Sequence, residues 1–111
     1  MSWPQGLAPV GAPGWEREAV NWLFDRCPGE YRSYEIFRSH PELLAHIAIK
    51  HLDRQIEAVR DAYRGARMEN NVEASVLNDY LQALEKEGAR LALELPSAQS
   101  VCDALVSSSS G

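Results

Sequence analysis

A chain of 111 residues, 45% of them hydrophobic, has material for one core and too little for two. Its formal charge of −5, from 16 acidic and 11 basic side chains, counts against nucleic acid as the partner, because phosphate neutralisation supplies most of the affinity of such domains. No apolar run nears the ~18 residues that span a bilayer, and no basic stretch followed by an apolar one opens the chain, so the expected address is cytoplasmic with no membrane partner.

Pro4, Pro9 and Pro13 alternate with Gly6, Gly11 and Gly14, a density of breakers that no helix survives. Residues 1–14 therefore read as an extended arm. Trp3, Leu7 and Val10 give it some apolar grip, and both a loose tail and an arm lying along the domain stay open.

A first helix is expected from Trp15 to Cys27, where Pro28-Gly29 stops it. Trp15, Ala19, Trp22 and Leu23 follow helical spacing, and Val20, Phe24 and Cys27 widen the apolar sector beyond what one contact covers. From Glu30 to Arg38, Tyr31, Tyr34 and Phe37 recur every third residue, which predicts one or two helical turns. Tyrosine suits such a place because it buries a ring and keeps its hydroxyl wet.

Ser39-His40-Pro41-Glu42 offers a capping hydroxyl, a first-turn proline and an acid three residues after the serine. The helix it opens is predicted over residues 41–68. Its seam is Ala45, Ala48, Leu52, Gln55, Val59, Ala62 and Ala66, in alternating steps of three and four. Ile49, Ile56 and Tyr63, spaced by sevens, widen one flank. Met68 to Asn71 forms the turn, with Asn70 as cap and Glu73 completing a capping box. A fourth helix over 72–95 carries the seam Ala74, Leu77, Leu81, Leu84, Gly88, Leu91 and Leu95, and Pro96 ends it. Small seam residues, Gly88 among them, predict close approach of the two rods. Ser97 caps a short last helix, residues 98–106, with Val101, Ala104 and Leu105 as its apolar side, and residues 107–111 read as a disordered tail.

The expected fold is thus all-α: an antiparallel hairpin carrying a tryptophan-rich N-terminal helix and a short C-terminal one, in a single domain over 15–106. A bare two-helix hairpin leaves a side of each seam uncovered; either the flanking helices cover it or a second copy completes a four-helix bundle, and of the two a homodimer is favoured. Its face would come from Leu52, Ile56, Val59 and Tyr63 against Leu77, Tyr80, Leu84 and Leu91.

Chemistry-bearing patterns are few. His46 and Glu42 stand one turn apart, yet there is no HExxH and no third ligand, so no metal is expected. Cys27 has no histidine near it in sequence and ends an apolar face, as a buried structural cysteine does. Whether it meets Cys102 depends on tertiary distance. Glycine-rich phosphate loops, CxxC and a Ser/His/Asp order are all missing, so neither enzyme nor cofactor is expected. Gln55, the polar member of its seam, either fixes register or reaches water at the seam's edge. The leading expectation is a non-enzymatic protein–protein interaction or scaffold module that presents Trp15, Trp22, Phe24, Tyr31, Tyr34 and Phe37, since aromatics dominate interface energetics. The alternative is an RNA- or ribosome-associated helical protein using Arg60, Arg64 and Arg67, against which the interleaved acids Asp53, Glu57 and Asp61 weigh.

The run Trp22-Leu23-Phe24-Asp25-Arg26-Cys27-Pro28, then Tyr31-Arg32, His40-Pro41 and Leu84-Glu85-Lys86-Glu87-Gly88-Ala89-Arg90-Leu91, resembles small helical proteins of actinobacteria to which no activity is assigned. The likeness covers residues 15–95. It implies a helical fold and nothing about activity, cofactor or partner.

Overall fold

A computed structural model describes residues 2–69 and 71–110, with side chains through 108. Among these residues there are helices and no strand. Helix α1 spans Trp15–Phe24, a 3-10 turn Gly29–Ser33, α2 Glu35–Ser39, α3 Pro41–Ala66 and α4 Ala74–Ser110. The all-α hairpin expected from the two seams is the architecture observed: α3 and α4 pack along each other, and the smaller elements lie against one end of the pair.

Local chemistry sets the boundaries. Gly14, with φ of 76°, turns the chain from the arm into α1, a left-handed conformation that glycine adopts without Cβ strain. Helix α1 ends three residues before the expected Cys27 because its last turn tightens. Arg26 N donates to Leu23 O and Cys27 N to Phe24 O ahead of Pro28. Pro41 occupies the first turn of α3 as predicted, but His40 is the cap residue and no side chain caps it. The Ser39 hydroxyl donates instead to Glu35 Oε1 at 3.4 Å. Asn70, expected as the next cap, lies outside the described residues, as do Met1 and Gly111.

The C-terminal region corrects two expectations. Residues 98–106 are not a separate short helix, because α4 runs through Pro96, which sits inside it. Nor are residues 107–110 a disordered tail, since the helix continues to Ser110. Proline removes one N–H from the ladder and crowds the preceding turn, and tertiary packing outweighs that local cost here. Ala98, Val101, Cys102 and Leu105 beyond it are all buried. Ser97 is not a cap; its hydroxyl donates back to Leu93 O at 3.2 Å. Ser108 ties the far end to α1 through Glu16 Oε2 at 3.3 Å.

The main core brings Trp15, Ala19, Leu23 and Phe24 of α1 against Leu44, Ala45 and Ala48 of α3 and Val101, Cys102 and Leu105 of α4. Leu52, Leu91 and Ala98 form a smaller cluster next to it, with Trp22 packed on top. Leu52 and Leu91, expected on the face of a bundle between two copies, are therefore consumed within the hairpin. The arm is in place: Trp3 Nε1 donates to Ala8 O at 3.2 Å, Ala8 N donates to Glu18 Oε1 at 3.0 Å, and the Trp3 and Trp15 rings lie 6.1 Å apart. The molecule measures 55 × 29 × 17 Å, and its buried side chains are concentrated towards one end.

Candidate interaction surface

Two rows of residues flank the hairpin seam on the side where α1 lies. On α3 the row is Leu44, His51, Ala58 and Gly65; on α4, counted from the tip, it is Tyr80, Glu87, Glu94 and Val101, with Glu73 just before the helix. Each advances by sevens, so each keeps to one face of its helix. At the base, Leu44 and Val101 are fully buried in the core that α1 completes. Next along, His51 and Glu94 line a cleft with Cys27 and Pro28, where α1 and its following turn end. Beyond that point cover stops, and Ala58, Gly65 and Tyr80 are exposed. The reason is length. At 1.5 Å per residue the ten residues of α1 reach about 15 Å, against about 39 Å for the 26 of α3.

The exposed tip is apolar in part. Met68 is 78% exposed, Val76 52% and Tyr80 42%, with Val72 beside them in sequence. Leu77, Leu81 and Leu84 on α4, and Ile56, Val59 and Ala62 on α3, are only half-buried. On the opposite flank Tyr63 donates to Glu85 Oε1 at 2.9 Å, an acceptor that raises the tyrosine pKa. Gly88 faces Val59, where a Cβ would sit at an ordinary 3.8 Å.

Where cover ends, the polar groups are interlinked. Arg26 donates to Trp22 O at 3.0 Å and to Glu94 Oε1 at 3.1 Å, with its guanidinium 3.9 Å from the centre of the Trp22 ring. Arg90 joins Glu94 at 3.1 Å and Glu87 through two bonds of 2.7 and 2.6 Å. Those bonds lower the Glu87 pKa and raise that of Arg90. Arg26 Nε and Glu94 Oε2 are buried without a partner. The same cleft places His51 near Cys27, two residues that lie 24 positions apart and could not be associated from sequence. They do not form a reactive pair. Tyr31 OH and His51 Nε2 are 2.8 Å apart, and burial pushes the Cys27 thiol up to about 11 against a smaller opposing pull from Arg32. A thiol so placed is protonated at neutral pH and weakly nucleophilic. Cys27 and Cys102 are both free, so the two do not meet. Cys102 Sγ lies instead 3.8 Å from His46 Nδ1.

The residues expected to meet a partner divide. Trp15 and Phe24 are buried in the core, which corrects their placement on a contact surface. Trp22 is half-buried beneath Arg26. Tyr31, half-buried, stacks on Phe37 with centroids 5.2 Å apart, while Tyr34 leans on both and stays half exposed. That aromatic corner is largely occupied with itself. Arg60 and Arg64 on the distal part of α3, and Arg67 just after its end, are exposed, and Arg64 is paired with Asp61. Gln55 is exposed, so it reaches water and is not locked in the seam. The face expected between two copies already includes Ile56, Val59, Leu77, Tyr80 and Leu84 of this tip; the heptad pattern does not reveal that Leu52 and Leu91 are covered while these are not, which follows from the reach of α1.

Among the described residues no group of three or more His, Cys, Asp or Glu side chains could hold a metal ion, and no helix is long and apolar enough to cross a membrane. No family model, no curated protein and no solved structure matches the chain.

Proposed function

We propose that the protein is a non-enzymatic interaction module of the cytoplasm that engages another protein through the distal half of the α3–α4 hairpin. One observation carries the reading: the two rows buried by α1 at the base continue to the tip as exposed Ala58, Gly65 and Tyr80, with Val76 and Met68 beside them. Helix faces that are apolar and uncovered favour a docked partner, and aromatic side chains contribute most of the energy when one arrives. The base meanwhile provides a packed body that holds the hairpin upright.

A photo-crosslinking residue placed in turn at positions 76, 80 and 99 tests this in cells that make the protein. Positions 76 and 80 are expected to yield a discrete crosslinked band, and position 99, an exposed site on α4 at the base, none. Equal yields at all three positions, or none at the tip, would remove the proposal.

A further inference from the structure

The partner's chemistry can be read from what α1 already does in the same groove, an inference that rests on the tip being the contact surface. Helix α1 fills the base with an apolar face, and its end is pinned to α4 by Arg26 on Glu94, a pair in which both side chains are about four-fifths buried. The row that holds Glu94 repeats an acid at Glu87 and Glu73, one and three heptads nearer the tip, with Tyr80 between them. Opposite that acidic edge the α3 side of the groove is small: Ala58, Ala62 and Gly65. Glu73 has no ion pair among the described residues. Glu87 is held by Arg90 through two bonds, and an incoming cation would share it as Glu94 Oε1 is shared between Arg90 and Arg26.

We infer that the uncovered groove receives an amphipathic helix laid end to end with α1, bulky and apolar on the buried face and basic along the edge that meets α4. Small residues on α3 let such a helix settle close to the hairpin, at the short end of the usual axis separations. Val76 and Tyr80 then flank its apolar face. Glu73 and Glu87 meet its basic edge as Glu94 meets Arg26. A partner helix acidic along this edge would bring like charges together in a partly desolvated groove and is selected against.

The test uses the full chain with two stapled 14-residue helices that share leucines and alanines on one face, one edged with arginine and the other with glutamate. Backbone amide NMR is the readout, since it locates the binding as well as detecting it. The arginine-edged helix is expected to bind and to shift signals of residues 58–65 and 73–87, while the glutamate-edged helix leaves them unmoved. Tyr80→Ala should weaken binding about tenfold, as loss of a central aromatic does. Glu73→Gln with Glu87→Gln should weaken it about threefold per charge removed, the measure of an exposed ion pair. All three substitutions are at surface positions, and the unchanged spectrum of the base confirms folding. Equal binding of both helices, shifts spread over the whole molecule, or indifference to these substitutions would each overturn the inference. So would sedimentation at twice the 12.4 kDa chain mass with the tip signals protected, because a second copy would then be the occupant. Crosslinking at positions 76 and 80 would still support an interaction module in those cases, so the two readings fail separately.

Discussion

At the scale of single residues, Cys27 and Gly88 show how burial and space decide a side chain's behaviour. Desolvation holds the Cys27 thiol up at about 11, against an ordinary value of 9.0. Alkylation by iodoacetamide at pH 7.5 is therefore expected to run at least about a hundredfold slower than for an unhindered cysteine, and to accelerate steadily as pH rises toward 11. Since the folded-state value lies above the unfolded one, the neutral thiol's contribution to stability is complete below pH 9 and is lost as pH climbs to about 11. A rate at pH 7.5 equal to that of the unfolded chain would contradict this. Gly88 invites the opposite kind of change. A methyl group there would meet Val59 at van der Waals distance without displacing it, and alanine is the better helix former. Gly88→Ala is thus expected to stabilise the fold by about 0.5–1 kcal/mol in urea denaturation, and a loss of stability would mean that the seam is tighter than its geometry indicates.

At the scale of elements, α4 carries the clearest conflict between local and tertiary preference. Pro96 cannot donate to Ala92 O, yet Ala98, Val101, Cys102 and Leu105 gain full burial only if the helix goes on in the same line. Replacing the proline restores a donor and relieves crowding against the preceding turn. Pro96→Ala should raise stability by at least about 1 kcal/mol, read as a higher urea midpoint at unchanged slope. A lower midpoint would show that the ring's packing near Trp22 outweighs its backbone cost. The same element marks where the sequence was legible. The three-four spacing of both seams is a local property, so the hairpin and the proline at the head of α3 could be read in advance. Continuation through Pro96 could not, because it depends on contacts with Leu44 and Leu23, residues more than fifty positions away. Trp15 and Phe24 failed for a related reason: an aromatic at helical spacing reads the same whether a neighbour covers it or not.

At the scale of the whole molecule, stability must be graded along the 55 Å axis. Side chains from three helices and the arm converge at the base, whereas beyond Leu52 and Leu91 only two helices remain and Ala66 is the one buried hydrophobic of the tip among the described residues. Local opening costs less where fewer apolar contacts break. Residues 45–52 and 98–105 include seven buried side chains and residues 56–63 and 77–84 none, so amides of the latter are expected to exchange at least about a hundredfold faster. Native-state hydrogen exchange resolved by residue measures this directly. The gradient also has a consequence for recognition. A groove that opens readily can adjust its half-buried leucines to an incoming helix, and part of the binding energy is then spent on ordering it. Addition of the arginine-edged helix should accordingly slow exchange at the tip more than at the base. Uniform protection along both rods before any ligand is added would mean that the distal hairpin is already as firmly held as the core, and the length of α1 would no longer explain where the surface lies.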